Sequence, residues 1–142
     1  LPAAIGASFG APERTICCFC GDGGLQMSIQ EFGTIMEQQA SVKIILLNNN
    51  FLGNVRQWQD LMFNGRYSFT HMMNPHYQEI SKAYNIPYDI VIDRKDLRTK
   101  VEKMISTKGP YFLECAIKEK EDIVPMILPG KSVDGMLLEL DY

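Results

Sequence analysis

Two kinds of apolar spacing alternate along this chain. Thr15-Ile16-Cys17-Cys18-Phe19-Cys20 and Val42-Lys43-Ile44-Ile45-Leu46-Leu47 are short, nearly continuous apolar runs bounded by turn residues. That is the pattern of strands buried on both faces. Residues 88–92 and 111–117 repeat it. Between these runs the apolar positions fall at helical spacing. Ile5 and Phe9, four apart in an Ala- and Gly-rich stretch, predict a closely packed helix over 2–9 that Pro12 ends. Met27, Ile29, Phe32, Ile35 and Met36 predict a second helix. Asn74-Pro75 reads as the cap and first position of another, continued by Ile80, Ala83 and Tyr84 and ended by Asn85-Ile86-Pro87. Leu97, Val101, Met104 and Ile105 mark a last helix, capped by Asp93 and Asp96 and closed by Lys108-Gly109-Pro110.

Residues 51–67 are interrupted by Gly53, Asn64 and Gly65, yet Val55, Trp58, Leu61 and Met62 share a short helical face; 70–73 read as loop. The alternation of helix and strand, four times over, predicts an α/β fold: doubly wound, with a mainly parallel sheet and helices on both faces. From Lys118 onward the chain is charged and then Pro-punctuated. It is expected to form a surface tail that packs on another domain.

Composition narrows the class. At 142 residues the chain is one domain, large enough to bury about 68–70% of its unfolded surface. A net charge of −3 gives no reason to expect nucleic acid or an anionic membrane as partner. No apolar run approaches the roughly 20 residues of a membrane span, and a cytoplasmic location is expected. Of four cysteines, Cys17, Cys18 and Cys20 share one strand, where neighbours face opposite ways, and the Cys-x-x-Cys zinc spacing is absent. The expectation, with Cys115, is reduced and buried thiols.

The chemistry sits where the first two strands end. Cys20-Gly21-Asp22-Gly23-Gly24 follows one, and Asn48-Asn49-Asn50 ends the other. In a parallel sheet such strand ends line the ligand crevice. Asp22 offers a carboxylate, Asn49 a side-chain carbonyl, and the following turn a main-chain carbonyl. An oxygen-only set of this kind suits Mg²⁺ holding a diphosphate, with glycines that let the backbone approach phosphate. No Lys or Arg lies between Gly21 and Val42, so metal and amides would do the neutralising. Asp22 alone also fits a helix cap.

Gly-Asp-Gly followed two to three dozen residues later by Asn-Asn resembles the signature of thiamine-diphosphate enzymes. The flanks extend the likeness: Leu1-Pro2-Ala3-Ala4-Ile5-Gly6-Ala7-Ser8, Gln30-Glu31-Phe32, Leu46-Leu47-Asn48-Asn49, Leu52-Gly53, Gln57-Trp58, Gly109-Pro110-Tyr111-Phe112-Leu113 and Val124-Pro125-Met126-Ile127. In this order they resemble the C-terminal domain of acetolactate synthase (acetohydroxyacid synthase) large subunits over nearly the whole chain. The chain opens inside that likeness, so an excised domain of a longer subunit is expected, truncated at its N-terminus.

The resemblance implies residue roles. Asp22, Asn49 and the carbonyl of Phe51 are expected to ligate the metal. Gly21, Asp22, Gly23, Gly24, Asn49, Leu52, Gly53 and Asn54 are expected to contact the cofactor, although many relatives carry Met where Asn54 stands. Trp58 would line the substrate channel, with an ordinary core role as the alternative, and Asn48 and Asn50 would be turn residues. The family joins two 2-oxo acids with loss of CO₂ from pyruvate, toward branched-chain amino acids. The resemblance further implies FAD in the full-length enzyme, homo-oligomers and a regulatory small subunit. The glutamate that activates the aminopyrimidine would lie upstream, leaving this chain alone inactive. Alternatives are a pyruvate oxidase or decarboxylase, or a non-catalytic interaction module. His71 and His76 lack a ligand spacing and read as surface or loop residues. Gly130-Lys131-Ser132 mimics the end of a P-loop, but Pro125 stands where that motif needs glycine.

Overall fold

All four apolar runs form strands of one parallel sheet: β1 (Ile16–Gly21), β2 (Val42–Asn48), β3 (Tyr88–Val91) and β4 (Tyr111–Ala116). The computed structural model describes residues 1–140. Across the sheet the order is β1-β2-β4-β3, so the last strand of the four inserts between the second and third. Its sequence suits that interior place, because five of its six residues are buried. β1 and β3 are the edges.

Each face carries its own core. On one, α1 (Pro2–Gly10), α2 (Asp22–Gln26), α3 (Glu31–Gln38) and α5 (Tyr77–Ala83) contribute Ile5, Leu25, Phe32, Ile35 and Tyr77 against Ile44, Leu46 and Phe112. Phe112 is its centre. The rings of Phe32, Tyr77 and Tyr88 meet it edge-on at 5.4, 5.9 and 5.6 Å, contacts worth about 0.5–1.5 kcal/mol each beyond area burial. On the other face α6 (Leu97–Ser106) covers the sheet, through Met104 on Ile45, Val91, Tyr111 and Leu113. It packs on β3 and β4, and Phe19 on β1 remains 69% exposed. Cys17 shares that uncovered side of β1 and is exposed, so the expectation of a fully buried thiol set fails there. Cys115 is buried, and Cys18 and Cys20 are partly so.

Lys43 is the one charge inside the second apolar run. Its Nζ donates to the carbonyls of Thr107 (2.5 Å) and Gly109 (2.7 Å), where α6 has ended. Burial lowers its pKa, and the two carbonyls answer the desolvation.

Several local expectations need correction. The helix expected through Met27 to Met36 begins only at Glu31, as α3, and the glycine turn before it forms the separate short helix α2. They are joined by tight turns in which Ser28, Glu31, Phe32 and Gly33 each donate three residues back. Met27 is left exposed. The helix expected from Asn74-Pro75 begins only at Tyr77, with His76 at its cap position and no side-chain cap bond. Residues 51–67 do contain a helix, α4 (Gly53–Phe63), but it turns Arg56 and Gln57 inward and leaves Val55 and Met62 about half exposed. Its partner is the tail, which explains the inversion. Arg56 pairs with Asp60 (3.0 Å) and with Asp122 (2.7 Å), and Gln57 exchanges two hydrogen bonds of 2.9 Å with the main chain of Ile123. The tail also forms a small antiparallel pair, β5 (Met126–Ile127) with β6 (Met136–Leu137), which the sequence pattern did not predict. Among the described residues no helix is long and apolar enough to cross a membrane.

Candidate functional site

Strand register builds the site. β1 and β2 pair so that Gly21 lies across from Leu47. The residues that leave the two strands, Asp22-Gly23-Gly24 and Asn48-Asn49-Asn50-Phe51, therefore meet. Asp22 opens α2 and is only 2% exposed. Its Oδ1 accepts from the Gly23 N–H (3.0 Å) and its Oδ2 from Asn74 Nδ2 (2.7 Å). Among the described residues it makes no ion pair. A carboxylate buried this deeply without a cation calls for a compensating partner. A carboxylate has about four lone-pair sites, and these two bonds leave the others for a ligand.

On the opposite bank, Asn49 Oδ1 accepts from the Phe51 N–H (3.2 Å), closing a turn in which Asn50 takes the left-handed conformation (φ 58°). Asn readily makes both features. Phe51 then bridges to His71 in antiparallel fashion, flanked by Leu52 N to Thr70 O and Met72 N to Asn50 O, both 2.8 Å. The Phe51 and His71 rings meet edge-on at 5.1 Å, which gives His71 the loop role expected of it. The carbonyl of Phe51 accepts no hydrogen bond among the described residues.

Between the two banks lies an open cavity of about 340 Å³. Gly21, Asp22, Gly23 and Gly24 line one side, and Asn49, Phe51, Leu52, Gly53 and Asn54 the other, with Leu47, Val55 and Ile117 as an apolar rim. The structure thus brings together every residue nominated from the sequence for metal or cofactor contact. It does not bring Trp58 there: that side chain is half-buried on α4 and does not line the cavity. Two of the glycines are closely approached by neighbouring side chains. A Cβ on Gly23 would fall 2.6 Å from Leu52 Cδ2, and one on Gly53 3.2 Å from Asn49 Nδ2. Gly24 has nothing within 4 Å.

The donor set discriminates between metals. Among the described residues no group of three His, Cys, Asp or Glu side chains is placed to hold an ion. A cation here would rest on one carboxylate, one amide oxygen and one main-chain carbonyl, which fits Mg²⁺ and not zinc. The thiol nearest in sequence, Cys20, is pushed up to about 12, first by burial and then by Cys18. Its Sγ faces the Ile45 carbonyl (3.8 Å), and the residue does not line the cavity.

Sequence reasoning missed what stands behind this wall. Asn74 stands where a helix cap is expected, yet its amide reaches Asp22, Asn48 and Asn50. Asn48 stands where a turn residue is expected, and besides accepting from Asn50 N–H (3.2 Å) it donates to Glu114. A lone Glu inside the apolar run Tyr111-Phe112-Leu113-Glu114-Cys115 was the available signal for Glu114. For Asn74 there was none, because Asn before Pro is so ordinary at helix starts.

This sheet, with its strand-end cavity, is the diphosphate-binding architecture of the thiamine enzymes, and comparison with known proteins bears that out. Residues 1–115 match the family described as thiamine pyrophosphate enzyme, C-terminal TPP binding domain (thiamine pyrophosphate is thiamine diphosphate), and the chain belongs to that family.

Among particular relatives, it is 41% identical to the acetolactate synthase large subunit of Cyanidium caldarium over 139 residues, 96% of this chain and 24% of that one. Against the acetolactate synthase isozyme 2 large subunit of Escherichia coli it is 39% identical over 141 residues, 99% of this chain and 26% of that one. The chain thus spans about a quarter of the length of these curated relatives. A solved thiamine diphosphate-dependent 4-hydroxybenzoylformate decarboxylase of Rhodococcus jostii superposes with a TM-score of 0.79 at 23% identity. It covers 86% of this chain and 23% of that one, and supports the doubly wound fold.

Proposed function

We propose that this chain supplies the Mg²⁺ and diphosphate end of the cofactor site in an acetolactate synthase large subunit. The observation that carries the reading is Asp22: a buried carboxylate that among the described residues has no cation, on a cavity it shares with Asn49 and with a Phe51 carbonyl that accepts no hydrogen bond from those residues. Those three oxygens would hold the metal. The backbone of Gly21, Gly23 and Gly24, with Leu52, Gly53 and Asn54, would enclose the diphosphate. Thiamine diphosphate supplies an electron sink for decarboxylating a 2-oxo acid and joining it to a second. The residues of this chain bind and orient that group at its charged end.

Relatives named acetolactate synthase, alike over nearly the whole chain, favour carboligation of two 2-oxo acids over simple decarboxylation. On this reading the product feeds branched-chain amino-acid synthesis, and the enzyme works in the cytoplasm as a homo-oligomer with FAD, open to a regulatory small subunit. The activating glutamate lies in a segment other than this one, so residues 1–142 alone are inactive. Trp58 stands on the substrate channel.

The test uses the full-length protein. Loss even of groups that only support metal ligands weakens affinity about 10–100-fold. Asp22→Ala should therefore raise the half-saturating Mg²⁺ concentration at least that far, with circular dichroism unchanged. Metal dependence like that of the wild type would sink the assignment. Pyruvate given with isotopically labelled 2-oxobutyrate separates the reactions: mixed acetohydroxy acid supports the synthase reading, and aldehyde alone marks a decarboxylase.

A further inference from the structure

Behind the cavity, partly buried side-chain hydrogen bonds run across three strands. The Tyr88 hydroxyl on β3 donates to Glu114 Oε2 on β4 (2.6 Å). Glu114 Oε1 accepts from Asn48 Nδ2 at the end of β2 (2.7 Å). Asn48 Oδ1 accepts from Asn74 Nδ2 (2.8 Å), which also donates to Asp22 Oδ2 (2.7 Å) and reaches Asn50 Oδ1 (3.1 Å). At its other end, Asn74 Oδ1 accepts from Gln26 Nε2 (2.9 Å) and from the Tyr77 hydroxyl (3.2 Å).

This arrangement fixes which way the Asn74 amide faces. Its oxygen meets donors and its nitrogen meets three acceptors, so a flipped amide would set oxygen against oxygen on that side. Asp22 needs such an anchor. The Gly23 N–H on Oδ1 comes from the adjacent residue and moves with it. Asn74 comes from a segment far along the chain and is the only partner of Oδ2 among the described residues. We infer that Asn74 is a positioning residue, which holds the Asp22 carboxylate in the orientation a bound cation requires and is itself held by Gln26, Tyr77 and the Asn48–Glu114 pair.

Glu114 has a definite part in this. It is 7% exposed and makes no ion pair among the described residues. Asn48 and Asn74 stand between it and Asp22, and each donates to a carboxylate. Two buried anions are thereby linked through amides and kept out of direct contact. The two tyrosine hydroxyls remain donors at neutral pH. Burial first, and the neighbouring carboxylates next, raise both above the ordinary phenol value. Networks of this kind are rigid when every member is satisfied, and ligand orientation by supporting groups governs metal affinity.

The inference rests on the reading of Asp22 as a metal ligand, and the experiment keeps the two apart. In the full-length protein with thiamine diphosphate present, Mn²⁺ binding is followed by disappearance of the free-ion electron paramagnetic resonance signal. Three variants are compared with wild type: Asp22→Ala, Asn74→Ala and Gln26→Leu. Metal-free unfolding is measured on each. Asn74→Ala is expected to raise the Mn²⁺ Kd about 10–100-fold, and Gln26→Leu to weaken binding by less. A role confined to folding would lower the metal-free unfolding midpoint and leave the Kd unmoved.

Wild-type affinity in folded Asn74→Ala, where Asp22→Ala has lost binding, overturns the positioning role alone. Wild-type affinity in Asp22→Ala overturns the ligand reading and the inference with it. Should Asn74→Ala not fold, Gln26→Leu decides: weaker binding supports the inference, and unchanged binding overturns it.

Discussion

Gly23 and Gly24 are neighbours under opposite constraints. A Cβ on Gly23 would crowd Leu52 Cδ2 at 2.6 Å and Met72 Sδ at 3.3 Å, ends of flexible side chains that must move to admit it. Gly23→Ala is expected to cost about 1 kcal/mol, the low end for overpacking. Gly24 sits inside α2 with open space where a Cβ would go. Alanine is favoured over glycine in a helix by roughly 0.5–1 kcal/mol, so Gly24→Ala should stabilise the metal-free protein by about that amount. It should also weaken thiamine-diphosphate binding, because the new methyl enters the cavity proposed for the diphosphate. Urea unfolding and a cofactor titration on both variants check the pair. A destabilised Gly24→Ala, or one that binds cofactor as wild type does, contradicts the assignment.

Between elements, Asp89 ties β3 to α6. Its carboxylate meets Lys103 at 2.9 Å and Lys100 at 3.4 Å, and Lys100 also donates to the Ile90 carbonyl. Burial by itself would raise the Asp89 pKa. The Lys103 hydrogen bond and charge outweigh it, with the Ile90 N–H and Lys100 adding to them, and hold it below the ordinary value of 3.8. A depressed folded pKa means the contribution is complete above the unfolded value and disappears as pH falls from about 3.8 through the folded one. Asp89→Asn should lower stability on the order of 1 kcal/mol at pH values near 7, given the exposure of the Lys103 partner. The deficit should shrink towards zero in acid below the folded pKa. Denaturant curves at neutral pH and at pH about 2–3 test this; an equal deficit at both would mean that packing, not charge, is responsible.

Across the whole molecule, the tail is held by a buried ion cluster. Arg56 is 3% exposed and reaches both Asp60 and Asp122. Burial pulls its pKa down, but the Asp122 hydrogen bond and the charges of Asp122 and Asp60 reverse this, and the net shift is upward. Removing Arg56 takes the short ion pair from partly buried Asp122 and leaves Asp60 to Lys120 at 3.8 Å and the Tyr67 hydroxyl, at a cost of up to about 3–5 kcal/mol. Arg56→Met should therefore release the segment after β4, seen as faster protease cleavage between Ile117 and Pro125 with the sheet core intact by circular dichroism. Cleavage at the wild-type rate would show that Gln57 and the β5–β6 pair hold the tail without it.

The sequence by itself determined the four parallel strands, the helices between them in outline, and the residues that line the strand-end cavity. Apolar runs of strand length alternating with helical spacing leave little besides a parallel sheet. Asp22, Asn49 and their glycines were legible because residues that leave adjacent parallel strands must meet, and because glycine and asparagine are the residues such turns require. The wider order, β1-β2-β4-β3, was decided by tertiary structure. Every strand there reads as apolar, so pattern alone does not say which sits between which. Tertiary structure also chose the inward side of α4. Spacing favoured Val55, Trp58, Leu61 and Met62, but the surface that packs on α4 is a charged tail, and Arg56 and Gln57 satisfy it better than hydrocarbon does. The Asn74 network was hidden for a related reason. Its members are scattered from Asp22 to Glu114, and an amide's role depends on which donors and acceptors surround it, which only the folded chain supplies.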